Sequence, residues 1–229
     1  MAKWIVFCAA LIFLGIIGLA VPVPVSSAPA LDSTPAAVKI VCTRQRINGS
    51  SVVDVTGESL GTFIAPNFIL THNHFGSTPG HHACDALVIA DIAGHAWRWR
   101  ATDVQLMAID AGTSLIRLPN KLLAPCAPLA ESTSLPNLPV GAWVTVTYWD
   151  DTTGRITQRD FQVVQIKDGI AQLADPGLVI NSGDSGGGVY FNGKLVGNIW
   201  SINLDTAGRA AGSFNAALVP TQVRNTMKE

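Results

Sequence analysis

Between residues 36 and 218 no stretch carries a convincing helical period, and the apolar residues come in short β-branched runs cut by turn residues. Residues 38–41, 51–55, 62–64 and 68–70 are separated by Asn48-Gly49, Thr56-Gly57 and Pro66-Asn67, the residue pairs that hairpin turns require. Further runs fall at 86–90, 104–109, 115–118, 144–149, 159–166, 169–173, 188–191 and 194–200. A chain written this way can bury its apolar faces only by packing or closing antiparallel sheets, so it is read as all-β, a sandwich or barrels. Residues 119–139, rich in Pro, Ala and Ser, read as a connection between two β units, and only 219–228 could form a short helix. A formal net charge of −1 with 48% hydrophobic residues argues for a packed globular chain and against disorder. It also argues against nucleic-acid binding, which calls for a basic excess.

The first 30 residues are a separate matter. Lys3 is the only early charge, the chain from Trp4 to Val25 is uncharged and almost wholly apolar, and Ala28-Pro29-Ala30 follows. This is the pattern of a secretory signal with a small-residue cleavage site. The apolar run also approaches the roughly 20 residues that span a bilayer, so an uncleaved anchor is the alternative. Either reading places the remainder outside the cytoplasm, with any membrane contact through this segment alone. Cys8 lies within the apolar run, leaving Cys42, Cys84 and Cys126. One bridge with one free thiol, or three buried reduced cysteines, are both compatible with that odd count.

The chemistry concentrates at Asn181-Ser182-Gly183-Asp184-Ser185-Gly186-Gly187-Gly188. Glycine permits positive φ and close backbone approach, so a serine in this setting can be presented on a sharp turn beside inward-aimed N–H groups. A plain Gly/Ser loop is the structural alternative. The run resembles the active-site motif of the chymotrypsin/trypsin-like serine proteases, with a bacterial, HtrA-type or viral cast. That resemblance implies Ser185 as nucleophile and the N–H groups of Gly183 and Ser185 as oxyanion hole. Upstream, Gly61-Thr62-Phe63-Ile64-Ala65-Pro66-Asn67-Phe68-Ile69-Leu70-Thr71-His72-Asn73-His74 resembles the family's histidine region, where strand, Pro-containing turn and strand lead into T-x-x-H. The threonine spacing selects His74 over His72, and imidazole suits the role of general base and then acid.

The triad acid is less plainly written. In the family it opens a strand reading D-x-A-L-[IL]-[RK]-L; here Ser114-Leu115-Ile116-Arg117-Leu118 matches the strand, and Gly112 stands where the aspartate would be. Asp110, two residues earlier, is the candidate, carried into place by a bulge at Ala111-Gly112. Asp103 and Asp91 are fallbacks, and the alternative is a turn aspartate with Ser185 and His74 working as a dyad. Gly188 also departs from the proline that many members carry there.

The resemblance further implies two six-stranded antiparallel β-barrels with the site between them, over a protease domain at 31–229. The first barrel falls at about 36–119, the connection at 120–139 and the second barrel at 140–229. It implies a serine endopeptidase acting on polypeptide substrates without a cofactor or metal; the rivals are an inactive peptide-binding relative and a membrane-anchored viral or phage processing protease. Substrate contacts are expected from Val179, Ile199, Trp200, Ser201, Gly212 and Ser213. Val179 lies six residues before Ser185, where family members that accept basic residues carry aspartate, so cleavage after apolar or small residues is expected. Arg46-Ile47-Asn48-Gly49 only faintly echoes the family's activation sequence, and Asp184 is expected to be held by internal hydrogen bonds. His81, His82, Cys84 and His95 match no metal spacing. Trp97-Arg98-Trp99-Arg100 reads as a solvated strand face with cation–π pairs.

Overall fold

The computed structural model describes residues 36–48, 51–73, 85–131 and 138–228. A long hairpin begins the fold. Strand β1 (Ala37–Asn48) runs antiparallel to β2 (Ser51–Ala65) from the pair Ala37↔Thr62 to Asn48↔Ser51. Thr56-Gly57 is therefore not a turn but part of β2, with Gly57 opposite Cys42. An uninterrupted ladder with β1 outweighs the local turn preference of a single glycine. Arg46, Ile47 and Asn48 lie within the same ladder, paired with Val53, Val52 and Ser51.

Strands β3 (Phe68–Thr71), β4 (Ala86–Asp91), β5 (Ala96–Arg100), β6 (Gln105–Ala108) and β7 (Ser114–Arg117) complete a sheet of order β5-β4-β1-β2-β3-β7-β6. This sheet has seven strands and curls without closing, where a closed six-stranded barrel was expected. Its edge strands β5 and β6 are short and do not pair with each other among the described residues. The second unit does close. Strands β8 (Trp143–Asp150), β9 (Arg155–Lys167), β10 (Ile170–Ala174), β11 (Gly188–Phe191), β12 (Lys194–Leu204) and β13 (Ala210–Leu218) form a barrel of order β10-β13-β12-β11-β8-β9, sealed by β9–β10 pairing. Closure removes the exposed edges that an open sheet must otherwise protect.

Three apolar cores follow from the strand alternation. One fills the barrel around Val146, Phe161, Leu173, Ile199 and Phe214. A second lies in the open sheet around Ile40, Phe63, Ile69 and Ile89. The third joins the units, packing Leu70 and Leu115 of the sheet against Leu195 of the barrel and Val223 of the short helix α1 (Thr221–Thr226). The connection crosses the same seam in extended form: Ala127 N–H donates to Phe63 carbonyl (2.8 Å) and Leu195 N–H to Pro128 carbonyl (2.8 Å). The Trp-Arg run divides by face. Trp97 and Trp99 pack on the open-sheet core, Trp97 edge-on to Phe63, while Arg98 and Arg100 are exposed on the opposite face. Alternation thus separates the expected cation–π partners.

Among the described residues no helix is long and apolar enough to cross a membrane, and the N-terminal segment lies outside them. Cys42 is disulfide-bonded and Cys126 is an exposed free thiol, so the cysteines are not all reduced and buried.

Candidate active site

Ser185 sits on a turn fixed from both sides. Gly183 (φ 109°) and Gly186 (φ 90°) both have positive φ, the conformation that favours glycine. Ser185 itself is half-buried. Its carbonyl accepts from Ser59 Oγ (2.8 Å) and Leu60 N–H (2.9 Å), so the turn is docked on β2 of the other unit. The following N–H groups are engaged: Gly186 donates to Ile199 carbonyl (2.7 Å) and Gly187 to Asp184 carbonyl (2.9 Å). Among the described residues, neither the Gly183 nor the Ser185 N–H donates to a protein acceptor.

The glycines also let this turn touch the strand that leads to the histidines. A Cβ on Gly186 would overlap both the Leu60 carbonyl oxygen and Thr71 Oγ1, and Thr71 Oγ1 itself donates to that carbonyl (2.7 Å). Thr71 ends β3, three residues before His74, which lies outside the described residues, as do His81, His82 and Cys84. His72 is buried at 6% exposure directly after the strand. Gly186→Ala is therefore expected to destabilise the protein by about 3–5 kcal/mol, combining left-handed strain with overlap against backbone. Gly94 has φ 86° with open space around it, so Gly94→Ala should cost only about 1 kcal/mol. Urea unfolding of the two variants checks the contrast; equal losses would refute the close approach at Gly186.

Asp184 is 2% exposed and makes no ion pair among the described residues; its carboxylate accepts from Trp149 N–H (2.6 Å) and Asn181 N–H (2.7 Å). Desolvation raises its pKa to about 6, despite the two N–H groups, which pull it down. In the unfolded chain the group titrates near 3.8, so between pH 4 and 6 the folded state binds the extra proton and stability falls as pH rises. Relative to Asp184→Asn, the wild type should lose roughly 2 kcal/mol between pH 4 and 7. Denaturant titrations of both proteins across that range test it, and a constant gap would refute the shift.

Asp110 is exposed near the start of the β6–β7 loop, with Oδ1 accepting from Gly112 N–H (2.8 Å) and Thr113 N–H (2.7 Å). Gly112 is pressed onto the barrel: a Cβ there would overlap that of Ala217 and lie 3.6 Å from Trp200 Cγ. A larger residue there would force Ala217 to shift. The pairing Thr71↔Ser114 brings this loop beside the end of β3. Asp103 lies in a 3-10 turn before β6, at the far end of that strand. Asp91 is engaged in its own turn, accepting from Ala93 and His95 N–H and lying 2.9 Å from His95 Nδ1.

The residues expected to contact substrate divide by face. Ile199 is buried in the barrel core, with half-buried Val179 packed on that core. Trp200 faces the Asp110 loop, lining an open groove with Gly112 and the start of α1. Phe214 points inward, so Ser213 and Asn215 point outward and join a polar ladder. Asn215 Nδ2 donates to Ser201 Oγ (3.1 Å) and Asn203 Oδ1 (2.7 Å), while Asn203 Nδ2 donates to Ser213 Oγ (2.9 Å). Gly212 (φ 70°) gives its carbonyl to Asp175 N–H (2.8 Å).

Two residues at the site escaped sequence reading. Asp175, 4% exposed, shapes the loop before the serine by accepting from Val179 N–H (3.1 Å) and Ile180 N–H (3.0 Å); Ala174-Asp175-Pro176-Gly177 was its turn signal. Asn198 is wholly buried in β12, the one amide within its buried run Leu195–Ile199.

No protein-family model matches the sequence, and no curated protein matches it either. Solved structures do. The HtrA-type protease AlgW with a tripeptide superposes with a TM-score of 0.61 at 18% identity over 86% of this chain and 60% of that one. The fold is chymotrypsin-like. HL collagenase gives a TM-score of 0.61 at 15% identity, covering 86% of this chain and 94% of its own. A scabies mite inactivated protease paralogue, S-D1, gives 0.62 at 15% identity, covering 85% and 91%. This chain spans about three fifths of the length of the HtrA-type chain. Neighbours with this chymotrypsin-like fold thus include both proteases and an inactivated paralogue, and the site chemistry must separate the two.

Proposed function

We propose that this protein is a serine endopeptidase working outside the cytoplasm. The observation that carries the reading is the Ser185 turn: a half-buried serine between two positive-φ glycines, docked on β2 and touching the strand end three residues before His74. His74 takes the Ser185 proton; Ser185 Oγ attacks the scissile carbonyl; the Gly183 and Ser185 N–H groups receive the oxyanion. His74 then protonates the leaving amine, and water hydrolyses the acyl-enzyme. Asp110 holds the imidazole tautomer and stabilises the imidazolium. The family's subsite for the residue before the scissile bond corresponds to half-buried Val179, which is apolar and supplies no anion for a buried cation; Ile199 faces the barrel core and offers no contact there. The chain has no histidine beyond His95 to take glutamate or glutamine.

Fluorophosphonate labelling at Ser185, with a peptide-library profile, tests the reading. Labelling and cleavage after apolar or small residues are expected. Selective cleavage after Arg, Lys or Glu would refute the specificity. Gly112 at the family's acid position and the inactivated structural neighbour favour one alternative, a binding protein without turnover; absence of labelling would establish it. The apolar N-terminal run supports secretion or anchoring, and sequencing the N-terminus of the mature protein distinguishes them.

A further inference from the structure

Asn198 is 0% exposed in β12, and a buried amide must find partners for both its ends. It finds them in the other unit. Nδ2 donates to Gly112 carbonyl (3.1 Å) and Thr113 Oγ1 donates to Oδ1 (3.3 Å). Gly112 C=O and Thr113 N–H belong to one peptide plane. Asn198 binds its carbonyl edge, while the N–H on the opposite edge donates to Asp110 Oδ1 (2.7 Å). Gly112 N–H makes the second bond to that oxygen (2.8 Å). Rotation of this plane would break both contacts at once, and hydrogen bonds in series polarise one another. The neighbouring residue, Ile199, secures the serine turn, accepting from Gly186 N–H (2.7 Å) and donating to Gly187 carbonyl (2.8 Å). Two consecutive residues of one strand thus fix the acid loop and the nucleophile turn relative to each other.

We infer that Asn198 is a positioning residue that orients Asp110 for catalysis through the Gly112–Thr113 peptide plane. The inference rests on Asp110 being the triad acid. Asn198→Leu keeps the volume and removes the amide; it should lower kcat about 10–100-fold with KM changed less than threefold. The acid limb of the kcat/KM profile should move to lower pH, because a misaligned carboxylate stabilises the imidazolium less well.

The decisive measurement is a double-mutant cycle on full-length protein, with folding verified by urea unfolding. In an Asp110→Asn background, Asn198→Leu should cause no further loss of kcat. A full additional loss there, or an unchanged kcat in the wild-type background, would overturn the inference. Should Asn198→Leu fail to fold, Thr113→Val removes one arm of the clamp and enters the same cycle, with an expected 3–10-fold loss. Undiminished activity of Asp110→Asn alone would instead bring down the triad assignment, and the positioning role with it.

Discussion

Ser185→Ala should abolish peptide hydrolysis while leaving the fold and its unfolding midpoint unchanged. The turn is held through the backbone: the Ser185 carbonyl accepts from Ser59 Oγ and Leu60 N–H, and alanine keeps that carbonyl. The only loss is the hydroxyl. If it is the nucleophile, kcat should fall on the order of 10⁶-fold, with residual turnover from oxyanion stabilisation and binding alone. Peptide binding should persist, since the exposed part of Val179 is untouched. The measurement is kcat and KM on a peptide cleaved by the wild type, with product-complex affinity as a control. Near-full activity in the alanine variant would remove Ser185 from the mechanism.

The strand pattern was legible because short apolar, β-branched runs between turn residues survive in sequence, alternating where one face is buried and continuous where both are: β4, β7, β8, β10 and β11 fall within a residue or so of those runs. What decided the remainder is long-range. Thr56-Gly57 carries local turn chemistry, yet the ladder from Ala37↔Thr62 to Asn48↔Ser51 holds it in a strand. The Trp97–Arg100 alternation was readable, but which side faces the core depends on Phe63 and the neighbouring strands. Asp184's internal hydrogen bonding followed from the motif. Asn198 did not, since its partners, Gly112 and Thr113, lie 86 and 85 residues away in the chain. A polar residue inside Leu195-Val196-Gly197-Asn198-Ile199 could have flagged a buried amide without saying what it holds.

Asp110→Asn should lower kcat about 10⁴-fold at neutral pH with little change in KM or stability. Asparagine retains Oδ1, the atom that accepts from Gly112 and Thr113 N–H, so the loop and its contact with Asn198 should survive. What changes is the other edge of the side chain, where an NH₂ group replaces a carboxylate oxygen and favours the wrong imidazole tautomer. Asp103→Asn is the matched control. Strand β6 pairs with β7 from Gln105↔Arg117 to Ala108↔Ser114, and Ser114 pairs with Thr71 while Arg117 pairs with Phe68. Asp110 therefore follows the end of β6 that lies beside the strand leading to His74, and Asp103 precedes the opposite end. Asp103→Asn should leave kcat within about twofold, as surface substitutions far from the chemistry do. A large loss confined to Asp103→Asn, or none in either variant, would exclude Asp110 and leave Ser185 and His74 to act as a dyad.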